Sequence, residues 1–353
     1  MTPLHRHTGV AQQLGLDFPI VQGPFGGGLS SEPLVAAVSE AGGLGSFGAH
    51  HLPPEEITAL VGRLRGATAR PFAVNLWIPL GGESAAGVDQ LVAQAALLAP
   101  YFEELGIDPP EPTVGAPIDF DAQVDALLAA APPVISFVFG VPAADTVDRA
   151  RRAGIRLVGT ATTVDEAAAL EEAGVDVIVA SGSDAGGHRG AFLAPAEESL
   201  VGTFSLVPQV VAAVSTPVVA AGGIATTSQV RAAHELGAEG VQVGTAFLVS
   251  DESAASAVHK EAVTGPAGRS TVLTGAFTGR LARGLVNRVT REASGWDTHV
   301  PYPALGAMTS PFRRAAEEKG RADLASFWAG QSAPLARLGP AAEIFASLAG
   351  AYD

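Results

Sequence analysis

Short apolar segments recur along the chain, and each is followed by a glycine-rich or polar break and then by a stretch with helical spacing. Uniformly apolar, β-branched segments of this length are typical of strands buried on both faces of a parallel sheet. Eight segments are predicted as strands, at residues 19–22, 44–47, 72–75, 134–138, 156–160, 175–180, 217–221 and 240–243. Helices are predicted between them at residues 32–40, 54–65, 144–153, 164–173, 204–214, 227–236 and 253–263.

The ends of these helices carry recognisable signals. Thr163 with Glu166, and Thr226 with Gln229, have the spacing of a capping box, in which side chains satisfy free amides of the first turn. Glycine, which adopts the left-handed conformation without a Cβ clash, ends helices at positions 42, 154, 174 and 237. From Gly154 onward the unit of helix, glycine and strand repeats about every 20–25 residues, the length of a βα unit.

The alternation of strands and helices predicts a parallel sheet, and eight such units favour a closed (β/α)8 TIM barrel formed by residues 1–263. An open doubly wound sheet is the alternative, and it requires a reversal of strand order. Residues 78–133 are too long for one connection and are predicted as an enlarged third crossover with helical stretches. Residues 264–353 are predicted as a mainly helical C-terminal extension that covers the barrel mouth.

Composition narrows the class of protein. A chain of 353 residues with 47% hydrophobic and 16% charged residues fits a compact globule with one large domain and a smaller one. The net charge of −15 disfavours nucleic acid or an anionic membrane surface as a partner. Residues 1–8 lack the apolar core of a secretory signal, and no apolar segment is long enough to span a membrane. We therefore expect a cytoplasmic protein.

Several kinds of chemistry are excluded or unsupported. The chain has no cysteine, so disulfides, thiolate nucleophiles and cysteine-ligated zinc are excluded. The two lysines, Lys260 and Lys319, lie outside the predicted strands, which argues against a Schiff-base aldolase. Neither a Gly-x-Ser-x-Gly elbow nor a His-Glu-x-x-His motif occurs, so a serine hydrolase and a metal site are unsupported.

Residues 177–190, VIVASGSDAGGHRG, carry the strongest chemical signal. A buried strand leads into a glycine-rich loop that contains His188 and Arg189, an arrangement by which α/β enzymes build active sites. Histidine titrates near neutral pH, so it can take a proton from a substrate and return it. The alternative is a simple turn with a solvated His188. The histidines expected to be surface or structural residues are His5, His7, His234, His259 and His299.

In a TIM barrel the functional groups lie at the carboxyl ends of the strands. Gly222-Gly223 and Gly244-Thr245 follow the last two predicted strands, where main-chain amides and a helix N-terminus frequently bind phosphate. Ordinary tight turns are the alternative. We therefore predict a phosphate-bearing ligand beside one candidate base.

Several motifs resemble the nitronate monooxygenase family, formerly called 2-nitropropane dioxygenases. They are PIVQGP at 19–24, AVN at 73–75, DAGGHRG at 184–190, AGGI at 221–224 and QVGT at 242–245. Residues 279–287, 302–303 and 328–331 resemble the family too, so the likeness covers nearly the whole chain. The resemblance implies an FMN-dependent (β/α)8 barrel that uses O2 to oxidise alkyl nitronates or nitroalkanes to a carbonyl compound and nitrite.

The resemblance also implies roles for individual residues, with His188 as the catalytic base and a small molecule and O2 as its partners. The expected FMN contacts are Gly23, Pro24, Asn75, Ser181, Gly186, Gly222, Gly223, Gln242, Val243, Gly244 and Thr245. Phe25, Arg189 and Tyr302 are expected in the substrate pocket, with Arg189 as an electrostatic partner of the substrate.

The chain departs from the family pattern at three of its positions. Ser181 stands where Gln is usual, Asp184 where Glu is usual, and Phe25 where Met is common. Ser181 removes a long amide that would reach the flavin. Asp184 is expected to alter the base strength of His188 or the shape of substrate that the site accepts.

Two other functions remain open. An FMN-dependent reductase that uses NAD(P)H, of the enoyl-acyl-carrier-protein or quinone reductase type, shares the Gly-Gly-His element. A non-catalytic barrel that binds a phosphate-bearing ligand would use His188 as a structural residue. The oligomeric state is left open.

Overall fold

The computed structural model describes residues 3–80, 86–111, 118–297 and 300–353. His299 and parts of the enlarged third crossover therefore lie outside the described residues. None of the described helices is long and apolar enough to cross a membrane.

Eight parallel strands form a barrel, as the alternation of elements predicts. The barrel strands are β1 (Ile20–Gln22), β2 (Gly45–Gly48), β3 (Phe72–Trp77), β4 (Val134–Val138), β5 (Arg156–Ala161), β6 (Val177–Ser181), β8 (Val218–Ala221) and β9 (Gly240–Val243). They follow one another in the order β1-β9-β8-β6-β5-β4-β3-β2, and a bridge between Val21 in β1 and Leu44, just before β2, joins the two ends of the sheet. The fold is a (β/α)8 TIM barrel, and the predicted fold class is confirmed.

The barrel helices lie close to their predicted positions. They are α2 (Glu32–Glu40), α3 (Pro54–Ala67), α6 (Ala144–Ala153), α7 (Val164–Ala173), α8 (Thr203–Ala213), α9 (Thr227–Glu235) and α11 (Ala257–Thr264). The remaining helices are α1 (Gly9–Leu14), α4 (Val88–Leu105), α5 (Phe120–Ala130), α10 (Thr245–Leu248), α12 (Arg288–Ala293), α13 (Ala304–Glu318) and α14 (Ala341–Ala349).

Only half of the predicted capping box forms at the start of α7. Thr163 accepts from the amide of Glu166, and this half of the box forms. The carboxylate of Glu166 does not return to Thr163. It accepts instead from Thr162 N (2.6 Å) and from Phe192 N (2.6 Å), and it is fully buried. Glu166 thereby ties α7 to the loop that follows β6.

A small second sheet was not predicted. It joins β7 (Gly187–His188) to β11 (Ala282–Leu285), and β11 to β10 (Thr271–Thr274), with antiparallel pairing throughout. His188 pairs with Ala282 in this sheet. The loop that carries the candidate base is therefore hydrogen-bonded to the C-terminal segment.

The C-terminal segment and the enlarged crossover share a second hydrophobic core. In this core α13 packs on α4, where the rings of Phe102 and Phe312 meet edge to face with centroids 5.6 Å apart. The final helix, α14, packs instead against α2 and α9 on the outer wall of the barrel. The predicted covering of the mouth therefore does not extend along the whole C-terminal segment.

Candidate active site

A cavity of about 990 Å³ opens at the carboxyl ends of the barrel strands. This volume is at the upper end of the roughly 300–1,000 Å³ that ligand sites occupy. The wall is formed by the loops after the strands, by one face of α13 and by residues between 326 and 332. The cavity has room for a cofactor together with a substrate.

The structure brings most of the predicted site residues to this cavity. Those in its wall are Gly23, Pro24, Phe25, Asn75, Ser181, Gly186, His188, Gly222, Gly223, Gln242, Gly244, Thr245 and Tyr302. Asn75 is held in place because its Nδ2 donates to the carbonyl (3.1 Å) and the hydroxyl (3.0 Å) of Ser136. Val243 and Arg189 do not belong to this wall.

Val243 departs from the prediction because its side chain lies in the barrel core and is fully buried. Its carbonyl accepts from the amide of Gly23 at 2.9 Å and so fixes the loop after β1. The geometry therefore gives Val243 a main-chain role beneath the cavity and no side-chain contact with a ligand.

The glycines after β6 and β8 are required by close main-chain approaches. Gly222 has φ 107°, and a Cβ there would lie 2.6 Å from Thr203 Oγ1. A Cβ on Gly186 would lie 2.5 Å from the amide nitrogen of Gly330. Side chains are thus kept out of this part of the wall, and main chain borders the cavity.

His188 is oriented by a residue of the C-terminal segment. Its Nε2 lies 2.9 Å from Thr278 Oγ1, and that hydroxyl also lies 3.3 Å from Arg280 O. Because the hydroxyl has one proton, the acceptor to which it donates decides which ring nitrogen carries the imidazole hydrogen. In either tautomer of the neutral ring, one nitrogen carries no hydrogen and can accept a proton.

Burial lowers the pKa of His188 to about 3, and the positive charges of Arg280 and Arg313 contribute in the same direction. The imidazole is therefore neutral at pH 7 and able to accept a proton. A negative charge placed in the cavity would favour the imidazolium and raise this pKa.

Aromatic rings surround His188. Trp77 meets it at a centroid distance of 5.1 Å and stacks on His50 with centroids 3.6 Å apart and planes 2° from parallel. Burial, followed by the charges of His51, His188 and Arg280, lowers the pKa of His50 to about 3, so His50 is also neutral. These stacked rings form an aromatic face beside the candidate base.

Arg280 supplies positive charge close to this group of rings. Its guanidinium carbon lies 3.9 Å from the ring centroid of Tyr302 and 4.4 Å from that of Phe139. Such contacts with aromatic faces are attractive for a cation. The charge that acts on His188 therefore comes from the C-terminal segment.

Arg189 does not play the predicted electrostatic role. Its side chain is 2% exposed, and its guanidinium donates to the carbonyls of Gly182 (2.8 Å), Ser181 (3.0 Å) and Ser199 (3.0 Å). Consecutive side chains in an extended segment point to opposite sides. Because His188 faces the cavity, Arg189 faces away from it and braces the loop.

Asp184 also differs from the expectation. Its Oδ2 accepts from Thr203 N at 2.6 Å, in the first turn of α8, where a negative charge is favoured. It is not among the groups that shift the pKa of His188. The shorter carboxylate thus secures the start of α8.

Sequence reasoning missed Trp77, Thr278, Arg280 and Arg313. A signal existed for Trp77, because it lies two residues after Asn75 in β3 and therefore on the same face of the strand. His259, expected to be surface or structural, lies in the cavity wall, and its Nε2 donates to Trp328 O at 3.1 Å. Thr278 and the two arginines come from a segment whose path the pattern did not define.

Comparison with known proteins gives a consistent result. The sequence profile described as nitronate monooxygenase matches residues 8–350. Proteins described as probable nitronate monooxygenase from Staphylococcus aureus strains Newman and MSSA476 are 40% and 41% identical over 341 residues, which are 96% of this chain and 95% of each relative.

Two solved structures agree with this assignment. Nitroalkane oxidase from Streptomyces ansochromogenes has a TM-score of 0.89 and 41% identity, covering 98% of both chains. FabK from Thermotoga maritima has a TM-score of 0.76 and 29% identity, covering 98% of this chain and 96% of that one. These relatives are enzymes, so the non-catalytic alternative is set aside. With its profile match, its relatives and its glycine-lined cavity around a histidine, the chain belongs to the nitronate monooxygenase family of flavin-dependent oxidoreductases.

Proposed function

We propose that this enzyme uses FMN and O2 to oxidise alkyl nitronates and nitroalkanes to a carbonyl compound and nitrite. The observation that carries the proposal is the meeting of a neutral imidazole, His188, with a glycine-lined rim in one cavity. The relatives described as probable nitronate monooxygenase and nitroalkane oxidase support this choice of substrate.

The residues present fit a flavin mononucleotide. Gly222, Gly223 and Gly244 leave main chain at the wall, and the Cβ position of Gly244 is open except for Phe25 Cε1 at 3.9 Å, so a ligand can approach the main chain there. Their amides, with Thr245, are the groups proposed for the phosphate. The ring system would lie along Gly23 and Pro24, near Asn75, Ser181, Gly186 and Gln242.

The protein supplies proton handling and position, whereas the flavin when bound takes electrons from the substrate and passes them to O2. His188 would accept the proton α to the nitro group of a neutral nitroalkane. A nitronate has already lost this proton, so His188 would act on it only as an electrostatic and hydrogen-bonding partner. Phe25, Phe139 and Tyr302 would give the pocket its apolar surface.

Two measurements test the proposal together. The purified protein is expected to show a flavin absorption spectrum, and the released cofactor is expected to be FMN by chromatography. Aerobic turnover of ethyl nitronate is expected to consume O2 and release nitrite. A folded protein that takes up no FMN, or a flavin-loaded one that releases no nitrite, would contradict the proposal.

A reductase function is the second candidate, because the Gly-Gly-His element at residues 186–188 also resembles FMN-dependent enoyl-acyl-carrier-protein reductases. Anaerobic mixing with NADH and NADPH separates the two functions. Rapid bleaching of the flavin absorbance by either nucleotide would favour the reductase. Bleaching by a nitronate alone would favour the oxidase.

A further inference from the structure

One face of α13 forms part of the cavity wall, and its residues have no role in the reaction proposed above. Small residues border the cavity near the start of the helix, and charged ones follow at helical spacing. The residues on this face are Gly306, Ala307, Ser310, Arg313, Arg314 and Glu317. The opposite face, with Leu305, Met308 and Phe312, is buried in the second hydrophobic core.

Arg313 is the most unusual member of this face. Its Nη1 donates to Ser326 Oγ at 3.0 Å and its Nη2 to Gly306 O at 3.4 Å, so both of its partners are neutral. Its Nε is buried and has no hydrogen-bond partner among the described residues. A cation removed from water without a full set of acceptors is costly, and an anion in the cavity would reduce that cost.

The hydrogen bonds of Arg313 do not go to an acidic side chain. Glu317, one turn further along α13, acts on Arg313 through its charge, but the two hydrogen bonds of Arg313 go to Ser326 and Gly306. Arg280 adds a second positive charge near His188, and both guanidinium groups lower the pKa of that imidazole. A chain with a net charge of −15 thus places two positive charges where they act on His188.

We propose that Arg313 contacts the anionic oxygens of the substrate and makes the enzyme prefer a preformed nitronate over the neutral nitroalkane. This inference rests on the proposed function. The planar guanidinium has five donors, and its fork matches the two oxygens of a planar anion. A neutral nitro group offers the same two oxygens without the full charge, so it gains less from this contact.

Nitrate is a suitable probe because it is a planar oxyanion and is not a substrate. Its binding to the flavin-loaded enzyme is measured by titration calorimetry and by the change in flavin absorbance. Relative to the native enzyme, Arg313→Gln is expected to raise the dissociation constant of nitrate at least about tenfold. Arg291→Gln removes the same charge from an exposed position of α12 that is not in the cavity wall, and it is expected to change the constant less than about threefold.

Kinetics give a second, independent readout. Arg313→Gln is expected to raise KM for ethyl nitronate about tenfold or more, while KM for neutral nitroethane changes less than about threefold. Arg313→Lys keeps the charge but loses the planar guanidinium. Its KM for ethyl nitronate is expected to lie between that of the native enzyme and that of Arg313→Gln, and it replaces the Gln variant if that variant is unstable.

Unchanged nitrate binding and KM in Arg313→Gln would overturn the inference, and so would an equal loss in Arg291→Gln. Failure of the proposed function is distinguishable from these outcomes. In that case the native enzyme would turn over neither substrate, while nitrate titration would still report on Arg313.

Discussion

Nε2 of His188 lies 2.9 Å from the hydroxyl oxygen of Thr278, so a residue 90 positions further along the chain sets the orientation of the candidate base. The same hydroxyl also lies 3.3 Å from Arg280 O. The contact between Thr278 and His188 therefore links the imidazole to the segment that supplies the positive charge of Arg280. A hydrogen-bond partner on one ring nitrogen orients a functional histidine and influences its tautomer.

Thr278→Val removes the hydroxyl at nearly constant volume. We expect kcat/KM for neutral nitroethane to fall about 10- to 100-fold, part of the roughly 10²- to 10⁴-fold that a general base contributes. Thr278→Ser keeps the hydroxyl and is expected to restore most of the activity. Equal losses on nitroethane and on ethyl nitronate would indicate a general structural defect.

His188→Asn removes the candidate base while leaving the glycine rim intact. We expect normal FMN content and a loss of about 10²-fold or more in kcat/KM on neutral nitroethane. The loss on ethyl nitronate is expected to be much smaller because that substrate has no proton to remove. Stopped-flow flavin reduction under anaerobic conditions measures both, and undiminished reduction by nitroethane would remove His188 as the base.

Gly222→Ala tests the role of the glycines in the cavity wall. Its Cβ would lie 2.6 Å from Thr203 Oγ1 at φ 107°, so we expect a lower Tm and reduced FMN content. Gly62→Ala is the matched control because Gly62 lies inside α3 with open space at its Cβ position. It is expected to stabilise the protein by about 0.5–1 kcal/mol with normal FMN content. Full flavin loading of Gly222→Ala would contradict the role given to this glycine.

Arg189→Met tests the structural role assigned to that residue. Three carbonyls lose their donor, and we expect the free energy of unfolding to fall by about 3 kcal/mol or more. Arg291→Met, at an exposed position of α12, is expected to change it by less than about 0.5 kcal/mol. KM of the folded Arg189→Met variant should stay near the native value, and a selective rise in KM for nitronate would return Arg189 to the substrate pocket.

Stability is expected to decrease on mild acidification, and His259 allows this to be tested. Burial lowers its pKa to about 4 from 6.5, so between these values the unfolded chain binds more protons than the folded one. The contribution of His259 to the free energy of unfolding is therefore fully present above pH 6.5. It decreases as the pH falls from 6.5 towards 4, and about 2 kcal/mol of it is lost at pH 5.

His259→Gln keeps an amide donor for Trp328 O but cannot titrate. We expect urea unfolding to show that the difference in stability between this variant and the native protein shrinks by about 1–2 kcal/mol between pH 7 and pH 5. A constant difference across this range would show that His259 does not contribute to the acid sensitivity.

The barrel was predictable because its strands and helices are specified by local patterns. Uniform apolar segments marked β3 to β6, and glycines such as Gly154 and Gly174 adopt the left-handed conformation expected at helix ends. The rim of the site followed, since parallel strands bring their carboxyl ends to one edge of a barrel.

The rest of the site depends on contacts between distant parts of the chain. The pairing of β7 with β11 involves two residues of a glycine-rich loop and has no local pattern. Among many C-terminal arginines, the sequence does not distinguish Arg280 and Arg313 from exposed ones. Arg189 was misplaced because its neighbour His188 faces the cavity, although adjacent side chains of an extended segment face opposite ways.

The sharing of one small sheet by β7 and β11 constrains how this family can be recombined. A chimaera joined at residue 263 would take Gly187–His188 from one parent and Ala282–Leu285 from the other. The two strands would then have to pair although they come from different sequences. Residues 187–283 are therefore the shortest block that keeps both pairings of Gly187 and His188, and it also contains Thr278. Breakpoints placed outside this block should yield active hybrids more often than breakpoints placed within it.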